Sequence, residues 1–197
     1  MSVIAILGSP SKNSRTARLI EHAAARLSRA GIAVETISIH DFAAQDLLHG
    51  NFAAPAVQQL QQRVLAASGI IVASPVYKAA YAGALKVLLD LVPEGGFAGK
   101  PVLPLASGGS PGHLLALDYA IKPVLAALKA SEIHQGVFAS EQQIGREPGE
   151  ALAAELAARL DAAVDEFAAL LRAGAALAPA AQATRLSEDL ISRLISL

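Results

Sequence analysis

A short loop near the N-terminus concentrates hydroxyl and cationic side chains at the predicted start of a helix. Residues 8–16 include three serines, a threonine, a lysine and an arginine. Free backbone N–H groups and the positive end of the helix dipole favour an anion there. Hydroxyl donors from Ser9, Ser14 and Thr16 would complete a phosphate site, and Arg15 would add positive charge. An ordinary helix cap needs only one such residue, so the cluster predicts a phosphate site.

A second loop of unusual composition follows a predicted buried strand. Pro75 and Val76 would give a planar ring a rigid edge and leave main-chain groups free to bond a pyrimidine. Tyr77 and Lys78 come next, and Tyr81 lies close behind. The two tyrosines could instead be amphipathic side chains half-buried at the start of a helix. The loop therefore predicts one wall of a site for a flat ligand.

The third loop is the most glycine-dense stretch of the chain and runs over residues 107–113. Gly108 and Gly109 follow Ser107, and glycines allow the backbone to approach a flat ligand closely. His113 is one of five histidines, and it is the one that lies in a predicted site. The histidines show no metal-ligand spacing, so we predict no metal site.

Composition and motif spacing exclude several classes of function. The chain has no cysteine, which rules out disulfides, thiolate metal sites and cysteine nucleophiles. Its formal net charge is −1, without the basic excess typical of nucleic-acid binding. The glycine patterns of a dinucleotide-binding Rossmann turn and of a Walker A loop are both absent. We see no secretory signal and no membrane-spanning stretch, and we expect a cytoplasmic protein.

Five apolar runs alternate with five amphipathic segments along the chain. The predicted strands cover residues 3–7, 34–39, 69–73, 102–106 and 134–138. The predicted helices cover about 14–30, 55–67, 83–91, 112–128 and 151–172. This alternation predicts an α/β fold with a doubly wound, five-stranded parallel sheet and helices on both faces. The three loops follow strands one, three and four, and ligands bind at that edge of such sheets.

Together the loops resemble those of the NADPH-dependent FMN (flavin mononucleotide) reductase family of flavodoxin-like proteins, which implies the strand order 2-1-3-4-5. Within that family, the likeness is strongest to the FMN reductases of two-component alkanesulfonate monooxygenase systems, and it covers residues 1–172. The matching residues are Gly8, Ser9, Ser14 and Thr16 in the phosphate loop, Ser74, Pro75, Val76, Tyr77, Gly83 and Lys86 in the flavin-ring loop, and residues 107–109, 113–116 and 118–123 further on.

The resemblance implies that NADPH or NADH reduces FMN by hydride transfer to flavin N5. Reduced FMN would then leave and serve a partner alkanesulfonate monooxygenase. This fits a sequence with binding loops and no convincing acid–base centre, because the cofactors carry the chemistry. Two alternatives stay open: a quinone or azo reductase that retains FMN, and a flavodoxin-type electron carrier. Such carriers are generally acidic, so the net charge of −1 argues against the second.

Pro123 interrupts the predicted helix over residues 112–128. It has no N–H to bond the carbonyl of Tyr119, four residues earlier. A single wide π-type turn around Tyr119 would relieve the problem, and such turns often mark functional sites. In the family that the chain resembles, a tyrosine inserted at this motif forms a π-helix at a tetramer interface. The resemblance therefore implies a homotetramer, a dimer of dimers, in which Tyr119 crosses a subunit boundary and takes part in flavin transfer.

The C-terminal region changes composition after Arg172. We predict a flavin-binding domain over residues 1–172, followed over 173–197 by an Ala/Pro-rich linker and a short helix. Leucine and isoleucine recur at near-helical spacing over residues 186–197. That helix would pack either on its own domain or, as an arm, on a neighbouring subunit.

Overall fold

Short aliphatic runs form the strands of a parallel sheet, and the amphipathic segments between them form the helices. The computed structural model describes residues 1–145 and 150–195, with side chains described as far as residue 176. The strands are β1 (Ser2–Leu7), β2 (Ala33–Ser38), β3 (Gly69–Tyr77), β4 (Ala80–Tyr81), β5 (Pro101–Gly108), β6 (Glu132–Ile133) and β7 (Val137–Ser140). The α-helices are α1 (Arg15–Arg29), α2 (Ala44–Leu48), α3 (Pro55–Ala66), α4 (Gly83–Leu89), α5 (Lys122–Ala127), α6 (Glu141–Ile144) and α7 (Ala154–Ile195).

The sheet confirms a flavodoxin-like parallel α/β fold and corrects the number of strands. It has seven strands rather than the predicted five. The strand order is β2-β1-β3-β5-β6, and β7 also pairs with β5. One addition is the two-residue β4, which pairs antiparallel with β3. The other arises because the fifth predicted strand is broken at Gly136, whose φ of 86° ends regular pairing. A Cβ there would lie 2.7 Å from the carbonyl oxygen of Pro104.

Alternate side chains of the central strands enter two different apolar cores. On β1, Val3 and Ala5 join the core beneath α1 and α7, and Ile4 and Ile6 join the core beneath α3, α4 and α5. Successive strand residues point to opposite faces, so both faces of the sheet must be covered. This arrangement confirms helices on both faces.

Gly8 allows α4 to pack closely against the end of β1. A Cβ at this position would lie 2.2 Å from the Cβ of Leu85. The Gly8 N–H donates to the carbonyl of Ala73 at 2.8 Å, which continues the pairing of β1 with β3. The absence of a side chain therefore brings the start of α4 close to the beginning of the phosphate loop.

The predicted wide turn at Tyr119 is confirmed. Residues Leu117–Ile121 form a π-helix, and the Lys122 N–H donates to the carbonyl of Leu117, five residues back. The helix predicted over 112–128 is therefore three pieces: a 3₁₀ turn at Pro111–Leu114, the π-helix and α5. Pro123 lies in the first turn of α5, where a missing N–H is tolerated.

The C-terminal helix differs from the prediction for this region. The backbone of α7 is helical from Ala154 to Ile195, across the segment for which the sequence predicts a linker. Alanine has the highest helix propensity, and this segment is rich in alanine, which favours continuation past Arg172. The division of the chain at Arg172 stays a prediction. In the part of the chain that the structure describes, no helix is long and apolar enough to span a membrane.

Candidate functional site

Within the described side chains, the buried polar residues lie at one edge of the sheet. They follow or end β1, β3 and β5, the central strands, at the carboxyl edge. Because buried hydroxyl groups need hydrogen-bond partners, such a cluster indicates either an internal network or a site for a polar ligand. These residues are Ser9, Ser14, Thr16, Ser74 and Ser107.

The predicted phosphate loop leads into the first turn of α1. Ser14 is the N-cap residue, with φ −77° and ψ 124°, and its side chain makes no capping hydrogen bond among the described residues. Ser9 lies deeper, and its Oγ accepts the Ser11 N–H at 3.3 Å. The first turn of α1 contains no acidic residue. The Ala17 N–H donates to the Ser14 carbonyl at 3.1 Å. Hydroxyl groups and the first N–H groups of α1 thus converge where an anion is favoured.

A buried hydroxyl pair joins the first loop to the third. Thr16 Oγ1 and Ser107 Oγ lie 2.6 Å apart, and either can donate. One O–H satisfies this bond, so the other hydrogen is free for an acceptor in the cavity. Thr16 is 1% exposed and Ser107 4% exposed, so the first turn of α1 and the end of β5 fix the positions of these hydroxyls.

Thr16 and Ser107 line a cavity of about 310 Å³ together with other residues of the three loops. Of the residues predicted for the site, the structure brings nine to this cavity, while Lys78, Gly109 and His113 lie outside its lining. Sequence reasoning missed three further lining residues, Ser11, Asn13 and Glu141. The predicted residues that line it are Ser9, Ser14, Arg15, Thr16, Pro75, Val76, Tyr77, Ser107 and Gly108.

The second loop forms a tight hairpin beside the cavity. Lys78 and Ala79 connect β3 to β4 with φ of 51° and 64°, the geometry of a two-residue type I′ turn. Both residues carry a Cβ, so this left-handed backbone is strained. Ser74 supports the base of the hairpin: its Oγ accepts the Ala82 N–H at 2.9 Å and donates to the Pro75 carbonyl at 2.9 Å. Lys78 therefore sits at the hairpin tip.

His113 lies behind the backbone of Gly108. A Cβ on Gly108 would lie 2.9 Å from His113 Nδ1, so the imidazole packs where only glycine fits. His113 Nδ1 is buried and has no hydrogen-bond partner in the described part of the chain. Gly109 has open space beside its Cα. The third loop thus presents Gly108 to the cavity with an unpaired imidazole nitrogen next to it.

Glu141 adds a carboxylate to the same cavity. It is the first residue of α6, and it forms an ion pair with Arg15 at the start of α1. Arg18 also joins the two helices, since its Nη1 donates to the carbonyl of Ile144 at 2.6 Å. The only sequence signal for Glu141 is its place after the last strand of the sheet, because its partner lies 126 residues earlier.

Comparisons with known proteins show which family the chain is similar to. The model of the family described as NADPH-dependent FMN reductase matches residues 1–145. The chain is 48% identical over 197 residues to an FMN reductase (NADPH) of Pseudomonas putida KT2440, covering 98% of both. It is also 48% identical over 168 residues to an FMN reductase (NADPH) of Escherichia coli K12, covering 85% of this chain and 88% of that protein.

A solved structure supports the same comparison. The apo crystal structure of the NADH:FMN oxidoreductase EMOB superimposes with a TM-score of 0.78 at 40% sequence identity. The match covers 84% of this chain and 87% of that chain.

Proposed function

Because the chain belongs to the NADPH-dependent FMN reductase family, we propose that it reduces FMN as a freely exchanging substrate and releases reduced FMN to a partner monooxygenase. The family, the oxidoreductase class and the use of FMN with NADPH or NADH were predicted from the sequence, and these predictions are confirmed. The release of FMN, the partner and the residue roles below are parts of the proposal.

The buried hydroxyl cluster at the start of α1 is the observation that carries this proposal. Ser9, Ser14 and Thr16 are 2%, 8% and 1% exposed and line one cavity. Neutral donors at a helix N-terminus suit a phosphate group, and Arg15 lines the same cavity. These four residues would hold the FMN phosphate.

The other two loops suit the flavin ring. Pro75, Val76 and Tyr77 line the cavity from the end of β3, and Gly108 lines it from the end of β5. The lack of a side chain at Gly108 allows a flat ring to approach the backbone, and His113 Nδ1, which has no partner among the described residues, lies nearby. The remaining residues proposed to contact FMN are Lys78, Ser107 and Gly109.

When bound, FMN supplies the redox chemistry by accepting hydride from the nicotinamide at flavin N5. The chain needs no acid–base residue for that transfer, and its task is to bind and orient both rings and exclude water. The fixed hydroxyls of Thr16 and Ser107 suit orientation, because their hydrogen bond connects the first turn of α1 to the end of β5.

An exposed apolar surface beside the site supports the proposed homotetramer, a dimer of dimers. Leu114, Leu115 and Tyr119 are 49%, 58% and 79% exposed in the isolated chain. They lie on or beside the π-helix, and large exposed apolar side chains that cluster often mark an interface. By resemblance, Tyr119 crosses a subunit boundary there and couples assembly to flavin transfer.

The partner is proposed to be a flavin-dependent alkanesulfonate monooxygenase, by resemblance to the two-component systems. Reduced nicotinamide nucleotides and free FMN are metabolites of the cytoplasm, which supports the predicted cytoplasmic location. The residues after Arg172 form the second segment of the proposed domain organisation, with a helical backbone as far as Ile195.

Steady-state oxidation of NADPH and NADH, with and without added FMN and with and without a quinone, tests the proposal. We expect a nearly colourless purified protein whose turnover requires added FMN and is independent of the quinone. A yellow protein that reaches its full rate with quinone and no added FMN would instead be the FMN-retaining quinone or azo reductase. Slow NAD(P)H oxidation under all four conditions would indicate an electron carrier.

A further inference from the structure

Glu141 brings a negative charge into the cavity proposed for the FMN phosphate. Its carboxylate lines the cavity together with Ser9 and Ser14, and it pairs with the guanidinium of Arg15. A phosphate monoester carries about −1.5 to −2 charges at pH 7. A carboxylate at this position therefore opposes phosphate binding by repulsion, and it also engages Arg15, the arginine among the described residues that line the cavity.

The backbone around Glu141 is held in place from two sides. The Ser140 N–H, immediately before it, donates to Gln143 Oε1 at 3.0 Å. At the other end of α6, the Ile144 carbonyl accepts Arg18 Nη1 at 2.6 Å. The backbone of Glu141 is therefore held at the cavity wall, and its side chain, which is 54% exposed, is held there by the ion pair with Arg15.

The charges of the lining side chains cancel. Arg15 contributes one positive charge and Glu141 one negative charge, and the other lining side chains are neutral. Attraction for a phosphate then rests on hydroxyl groups, backbone N–H groups and the dipole of α1. A site selected for tight retention of a dianion would gain from an unpaired arginine instead.

We propose that Glu141 lowers the affinity for FMN by withholding Arg15 from the phosphate, and so permits reduced FMN to leave. The inference rests on the proposed function, in which flavin is a substrate and a product. Glu141 is then an affinity-determining residue that makes no contact with the reacting atoms. If Glu141 instead orients Arg15 toward the phosphate, removal of the Glu141 charge should weaken FMN binding rather than strengthen it.

The test compares Glu141→Gln with the wild-type protein in titrations of FMN and riboflavin followed by flavin fluorescence. Glutamine keeps the size of the side chain and removes its charge. At low salt, we expect the Kd for FMN to fall roughly three- to tenfold, the scale of one partly exposed charge pair. Riboflavin, which lacks the phosphate, should bind equally well to both proteins.

Salt and release rate provide two further readouts. The variant cavity carries a net positive charge, so its FMN affinity should fall more steeply with salt than that of the wild type. Dissociation of FMN, followed by stopped flow, should be slower by a similar factor. Glu94→Gln is the matched control: its side chain is 92% exposed and lies outside the cavity lining, so FMN binding should not change.

Arg15→Gln in both backgrounds completes the test. If Glu141 withholds Arg15, this substitution weakens FMN binding more in the Glu141→Gln protein than in the wild type. An equal loss in both backgrounds, or a Glu141→Gln protein with unchanged or weaker FMN binding, overturns the role of Glu141. A wild-type protein that neither binds nor reduces FMN overturns the proposed function itself, so the two failures are distinguishable.

Discussion

The two walls of the cavity are built in different ways. The phosphate wall, residues 9–16, is made of buried hydroxyls at the regular start of α1, with Thr16 bonded to Ser107 at 2.6 Å. The ring wall, residues 74–81, ends in a hairpin with two non-glycine residues at positive φ, and Tyr77 beside it is 52% exposed. One wall is preformed by burial, and the other keeps strained backbone and exposed aromatic surface.

This difference fits the two tasks of the flavin-exchanging site that we propose. A phosphate is small and its charge is fixed, so a rigid set of donors can recognise it without rearrangement. A ring wall must admit two flat substrates in turn and let one leave, and strained backbone often occurs at such sites. The hairpin also lies against the π-helix, whose Tyr119 is 79% exposed. In the proposed tetramer, the ring wall is therefore the side that would face a neighbouring subunit.

The largest expected effect comes from the phosphate wall. Thr16→Ala removes a hydroxyl and should weaken FMN binding by about 1.5–3 kcal/mol, the scale of a charge-assisted hydrogen bond. Riboflavin should be much less affected, because it has no phosphate. Ser9→Ala should act in the same direction. Calorimetric titration measures both ligands, and Thr36→Ala, at an exposed position of β2, is the control.

Thr16→Ala also leaves Ser107 without its partner, so a melting curve must show that the variant is folded at the titration temperature. If both hydroxyl variants bind FMN like the wild type, the anion site has been misplaced and the contrast between the two walls fails.

The next effect concerns the π-helix. Deleting Tyr119 should restore the four-residue hydrogen-bond spacing of an α-helix and weaken the proposed tetramer. It should also convert turnover of free flavin into retention of bound FMN. A buried aromatic residue at an interface often contributes about 2 kcal/mol or more, roughly thirtyfold in association. Sedimentation velocity and the absorbance of the purified protein measure the two results.

Tyr119→Ala separates the effect of the ring from the effect of the register, since it keeps the inserted residue. It should weaken assembly while leaving the π-helix in place. A deletion variant that stays tetrameric, holds flavin no more tightly and turns over normally would contradict the link between the π-helix and flavin exchange.

Local signals explain which features were predictable from the sequence. The central strands are continuous apolar runs, and the cluster of serine, threonine and arginine at the start of α1 is visible as composition. The π-helix follows from one local fact, namely that Pro123 has no N–H for the carbonyl of Tyr119. Each of these depends on residues within a few positions of one another.

Features that depend on tertiary approach could not be read in the same way. Glu141 enters the cavity because the end of β7 lies beside α1, so its ion pair with Arg15 joins residues 126 positions apart. The split of the fifth predicted strand depends on how closely Gly136 approaches Pro104. The exclusion of His113 from the cavity lining likewise depends on its packing over Gly108.

A smaller effect should come from the strained hairpin of the ring wall. Ala79→Gly places glycine at a φ of 64° and should raise the free energy of unfolding by about 0.5–1 kcal/mol, because relief of left-handed strain exceeds the added chain entropy. Ala80→Gly, one residue later in β4, should lower it by a similar amount. Urea denaturation measures both, and an equal loss in the two variants would show that the hairpin carries no strain.

The smallest effect should come from the ion pairs that join α1 to α7, away from both walls. Arg26 Nε and Nη2 donate to the two carboxylate oxygens of Asp165 at 2.7 and 2.6 Å. The hydrogen bond from Arg26 lowers the pKa of the Asp165 carboxyl below its ordinary value.

A carboxyl with a lowered folded-state pKa stabilises the fold above its unfolded pKa, about 3.9, and loses that contribution as pH falls through the folded value. The melting temperature of the wild type should therefore fall slightly more than that of Asp165→Asn below about pH 4. The Asp165 side chain is 60% exposed and that of Arg26 is 32% exposed, so the difference should be small and should shrink in high salt. Glu21→Gln, at an exposed position on α1 with no ion pair within the described residues, is the control, and its melting temperature should change with pH as that of the wild type does. This pair joins the last turn of α1 to α7 and contacts neither wall. The FMN affinity at neutral pH should therefore be the same in the wild type, Asp165→Asn and Glu21→Gln. A change in FMN affinity in Asp165→Asn would show that the phosphate wall is less rigid than its burial indicates.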